Sequence, residues 1–176
     1  MRRLLSLVLA GLLVFGLALP FATPAAAEDL TPAQADTVRA NCVSIKTSLN
    51  QLRVSDALLR VNQGQIYESM ASKLMDNFNN RLSGNGFDNR ATATVTANYR
   101  AALDTFRKDY ISYEQKLTDA IRTDCTQQPN TFHSLIEEAR TLRKTVHSDV
   151  KKLHRIIDDY RSSVGDFLLN YERLAS

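Results

Sequence analysis

Apolar residues recur through most of the chain at alternating spacings of three and four, which marks helices that bury one side. Val38, Cys42, Ile45, Leu49, Leu52, Leu59, Ile66, Met70, Leu74, Phe78 and Leu82 keep to one side of such a helix. Thr31-Pro32-Ala33-Gln34 predicts its start: the Thr31 hydroxyl accepts a backbone N–H, Pro32 suits the first helical position, and Gln34 stands at capping-box spacing. Ser83-Gly84-Asn85-Gly86 predicts its end, because Gly and Asn tolerate the left-handed backbone that closes a helix. Unbroken over residues 32–82, the helix would run roughly 75 Å. Its weak point is Gly64, which costs about 1 kcal/mol relative to Ala.

A second stripe restarts near Asp88 or Asn89 with Val95, Tyr99, Leu103, Phe106, Tyr110, Tyr113, Leu117 and Ile121, and stops before Gln127-Gln128-Pro129. A third starts at Pro129 or Asn130 and carries Phe132, Leu135, Ala139, Leu142, Val146, Leu153, Ile156, Tyr160, Phe167, Tyr171 and Leu174. No Pro interrupts any of them, and the one alternating run, Ala91 to Ala97, is almost entirely Ala and Thr and flows into the second stripe. The pattern predicts an all-α fold, an antiparallel three-helix bundle of long coiled-coil-like helices over about 32–82, 89–125 and 130–175, in one domain spanning 28–176.

The first 27 residues stand apart from this periodicity. Arg2 and Arg3 precede an uncharged run from Leu4 to Leu19, Pro20 and Pro24 interrupt it, and Ala25-Ala26-Ala27 supplies the small residues of a cleavage site. This reads as a signal peptide cleaved near Ala27, which makes the protein secreted or periplasmic; the alternative is an uncleaved N-terminal membrane anchor. Removing it leaves 149 of the 176 residues, and the formal net charge falls from +3 to +1 because Arg2 and Arg3 leave with it. A near-neutral surface gives little counterion release, so nucleic acid is not an expected partner.

The two cysteines test the topology. The midpoint of positions 42 and 125 falls between Ser83 and Gly84, inside the first predicted turn. Antiparallel helices joined there bring Cys42 and Cys125 to the same height, and export to an oxidising compartment predicts a disulfide between them.

Catalytic chemistry has little to stand on. His133, His147 and His154 form no metal-binding spacing, the pairs Glu137-Glu138 and Asp158-Asp159 diverge on a helix, and no G-x-S-x-G, P-loop or dinucleotide fingerprint occurs. No cofactor, metal or catalytic residue is assigned. The aromatic stripe of Tyr99, Phe106, Tyr110 and Tyr113 has helical spacing and reads as core.

Two surface features rise above this background. Arg140, Lys144, His147, Lys151 and Arg155 step along one side of the third helix, opposite its apolar stripe, as a candidate face for an anionic envelope polymer or lipid headgroups. Val54, Leu58 and Val61 form an apolar strip about 180–240° around the first helix from Leu52, a candidate interface for self-association or another protein, unless the helix bends near Gly64.

Asn41 to Leu52, Asn77 to Leu82 and Asp124-Cys125 ahead of a Pro resemble secreted, Cys-paired helical-bundle proteins of unknown function from candidate-phylum bacteria, a likeness that implies a fold and no activity. Leu30-Thr31-Pro32-Ala33-Gln34 resembles the L-T-x-x-Q signature of periplasmic helical stress chaperones, although the match occurs only once. The expected function is therefore that of an exported, non-enzymatic structural or protein-interaction module. The alternatives are a periplasmic holdase and an enzyme with an unrecognised site.

Overall fold

The computed structural model describes residues 29–175, so the predicted signal peptide and its cleavage point lie outside the described residues. The described chain is all-helical, with a disulfide between Cys42 and Cys125 and no strand among the described residues. Its elements are α1 (Pro32–Ala40), α2 (Cys42–Ser69), a π-helical turn (Met70–Met75), α3 (Asp76–Gly84), α4 (Arg90–Arg122) and α5 (Pro129–Ala175).

The start of α1 follows the sequence. The Gln34 N–H donates to Thr31 Oγ1 at 3.4 Å and the Thr31 N–H donates to Gln34 Oε1 at 2.8 Å, a reciprocal capping box with Pro32 behind it. The end of α3 follows it as well. Gly86 adopts φ +76°, its N–H donates to the Ser83 carbonyl, and the Phe87 N–H donates to the Leu82 carbonyl, the paired bonds that satisfy the last carbonyls of a helix. Phe87 then packs edge-on against Phe167 and Tyr171 of α5, at centroid distances of 5.7 and 5.4 Å.

The single helix expected over 32–82 is instead four consecutive segments. Asn41 interrupts it first: its backbone leaves helical values, and its side-chain amide donates to the Thr37 carbonyl at 2.9 Å. The π turn interrupts it again, and Gly64 lies within α2 at no break. The register differs too. Tyr67, Ala71 and Met75 are buried, whereas Leu59, Ile66 and Leu74, expected in the core, are half exposed. Buried positions Tyr67, Ala71, Met75 and Asn79 succeed one another every four residues, and each such step over-rotates a straight α-helix by about 40°. The wider π winding absorbs that drift and keeps the four on one face.

Cross-chain contacts fix the directions of the segments. Cys42 meets Cys125, Asp56 meets Tyr113 and Asn79 meets Thr96, so α1 to α3 run antiparallel to α4. Asp56 meets Arg143, Tyr67 meets His154 and Phe78 meets Phe167, so the same segments run parallel to α5. The core lies mainly between α4 and α5, where Tyr99, Leu103 and Phe106 pack with Leu153, Ile156 and Tyr160. Phe132 covers the disulfide at one end.

Candidate binding surfaces

α2 stays close to α4 at its two ends and opens from α5 between them, and the gap forms a cleft of about 750 Å³. Its floor is the α4 stripe of Phe106, Tyr110 and Tyr113. These residues are buried as the sequence predicts, yet the same rings that close the core also present themselves to the cleft. Leu59, Gln63 and Tyr67 of α2 form one wall, with Val146 and Val150 of α5 opposite.

Two polar links cross the cleft. Asp56 accepts a hydrogen bond from the Tyr113 hydroxyl at 2.6 Å, and from Arg143 Nε and Nη2 at 2.7 and 3.0 Å. Burial raises the Asp56 pKa, but the donors from Arg143 and Tyr113 outweigh it and hold the carboxyl below its ordinary value. Burial, reinforced by the Asp56 charge, pushes the Tyr113 hydroxyl pKa upward. With three bonds already accepted, Asp56 is a poor proton acceptor and a good brace. Further along, the Tyr67 hydroxyl and His154 Nε2 share a hydrogen bond of 3.1 Å, and Arg60 lies over the Tyr110 ring at 5.4 Å. No Ser, Thr or Cys is among the described residues that line the cleft; its hydroxyls are those of Tyr67, Tyr110 and Tyr113.

The basic residues of α5 divide around this cleft. Arg140, Lys144 and His147 are exposed on α5 and also line the cleft rim, a role their spacing alone did not indicate. Lys151 and Arg155 are exposed and continue the stripe without lining the cleft. The strip on α2 is exposed: Val54, Leu58 and Val61 are 63%, 62% and 47% accessible. Leu59 and Ile66, at 56% and 50%, are exposed too, but lie about 80–100° around α2 from Leu58, Leu59 on the cleft side. Sequence reasoning missed Asp56, Arg143 and His154. Each occupies a position that a helical wheel assigns to solvent or to a boundary, and only the opening between α2 and α5 brings them together.

A carboxylate pair lies between α4 and α5. Asp149 is desolvated and hydrogen-bonded to Asp109, and its pKa is pushed up to about 6, burial being the larger cause. Its Oδ2 atom is buried without a partner. Among the described residues no group of three or more His, Cys, Asp or Glu could hold a metal ion, and no helix is long and apolar enough to cross a membrane.

The chain matches no protein-family model, no curated protein and no solved structure.

Proposed function

We propose that this is an exported, non-catalytic helical module, in architecture an antiparallel three-helix bundle, that works by binding another protein through the outer face of α2, a second copy of itself in the first instance. The exposed apolar set Val54, Leu58 and Val61 carries this reading, since such side chains clustered on one face of a helix gain by being covered. Export follows from the leader and cleavage site read in residues 1–27, with the mature protein secreted or periplasmic.

Light scattering tests it. Wild type should self-associate, and Leu58→Asp should be monomeric with unchanged helicity and an intact disulfide. A wild type that stays monomeric at all concentrations removes the homo-oligomer and leaves only a foreign partner.

A holdase is the second reading, favoured by further exposed apolar residues, Leu168 and Leu169, at the far end of α5. It requires near-stoichiometric suppression of aggregation of a model client, which a specific adaptor would not give. The L-T-x-x-Q resemblance lends it little, because Thr31, Pro32 and Gln34 are already occupied as the capping box of α1.

A further inference from the structure

The cleft between α2 and α5 lies about 180° around α2 from Leu58, so its use is independent of the interface proposed above. Its volume of about 750 Å³ falls within the range of small-molecule sites. Two of the floor and wall hydroxyls are already bonded, Tyr113 to Asp56 and Tyr67 to His154, so these tyrosines offer ring surface to an occupant. The lining is charged in one sense. Arg60, Arg140, Arg143 and Lys144 face a single carboxylate, Asp56.

The cations are not equivalent. Arg143 is spent on Asp56, and Arg140 shares a 2.8 Å ion pair with Glu137. Lys144 makes no ion pair among the described residues and stands one helical turn from both Arg140 and His147. Unspent positive charge therefore gathers at the Arg140–His147 end, while Phe106, Tyr110, Val146 and Val150 continue as apolar surface toward His154. From Arg140 to His154 the groove follows α5 for about 21 Å.

An inorganic anion would use the rim and leave the floor wet. A neutral hydrocarbon would use the floor and ignore the rim. We infer that the cleft is a binding site for a single-chain anionic amphiphile, a long-chain fatty acid, with its tail on the aromatic floor and its carboxylate at Lys144, Arg140 and His147.

The test titrates the full chain with cis-parinarate, a fluorescent long-chain fatty acid, and displaces it with palmitate. Saturable binding is expected, reversed by palmitate but not by hexadecanol, its neutral counterpart, or by inorganic phosphate. Arg140→Glu combined with Lys144→Glu should weaken binding by about tenfold or more, with unchanged helicity and thermal transition. If that double variant does not fold, Lys144→Gln, which removes one exposed charge, should still weaken binding several-fold. Wild type and variants carry the same first 28 residues, so any contribution of the leader cancels. Equal displacement by hexadecanol, or wild-type affinity in every folded variant, overturns the proposal. So does binding to phosphatidylglycerol vesicles without displacement of parinarate, which would assign the rim to a membrane surface.

Discussion

Asp56 and Asp149 are both carboxylates at helix interfaces, and their surroundings drive them in opposite directions. Asp56 meets donors, so its ionised form is favoured, and it ties α2 to both neighbouring helices. Replacing it with Ala strands the Tyr113 hydroxyl and frees Arg143, which should lower stability by about 1–3 kcal/mol in urea denaturation. A loss within error would mean that the brace contributes nothing. Asp149 meets burial and another carboxylate, so its protonated form is favoured. Its folded pKa of about 6 lies above the ordinary value of 3.8, so between these values the native state holds more proton than the unfolded chain. Stability should therefore rise as pH falls from about 7 to about 5, and be lost again as pH rises through that window. Asp56 acts in the opposite sense only at lower pH, where its carboxylate begins to protonate. Asp149→Asn should flatten the rise. An unchanged pH profile in that variant would falsify the assignment to Asp149.

At the scale of the element, α4 and α5 were legible in the sequence and the first segment only partly so. The α4 stripe from Tyr99 to Leu117 is buried as its spacing predicts, because α4 packs against neighbours along its whole length. The stripe through Leu59, Ile66 and Leu74 was misread because every one of these is an aliphatic at helical spacing, and hydrophobicity alone could not rank them below Tyr67. What separates them is the cleft: where α2 stands off from α5, the long Tyr67 ring still reaches Phe106 and His154, while the shorter Leu59 only borders the opening. The rim cations were legible as a stripe but not as a site, since nothing local to α5 shows that α2 opens beside it. The π turn makes a separate prediction. It carries the effect of one inserted residue, so deleting the exposed Ser72 should let the segment rewind as α-helix and keep its buried ladder. Deleting Gln65 from α2 instead rotates Tyr67 and Met75 away from their seats relative to Asp56, and should cost about 3–5 kcal/mol. Thermal melts of the two deletions decide it, and equal losses would rule out the compensating role of the π turn.

For the whole molecule, the fastenings are unevenly distributed. At the turn end, Asn79 donates to Thr96, Asn89 donates to the Asn79 carbonyl, and Phe87 packs on α5. At the other end, the first segment contributes mainly partly buried Val38, Ile45 and Leu49, and the Cys42–Cys125 bond with Cα atoms 5.6 Å apart does the holding. Its sequence separation of 83 makes it worth about 4.5 kcal/mol on the chain-entropy account. Reduction should remove stability of that order, and the loss should not be shared evenly. α4 and α5 keep their own interface, so amide exchange should accelerate first in α1 and the first half of α2, while the amides around Leu103 and Leu153 stay protected. Uniform loss of protection on reduction would instead mean that all the helices open as one unit. Selective loss would show that the disulfide fastens α1 and the start of α2 by itself, ahead of the point where Asp56 ties α2 to Tyr113 and Arg143.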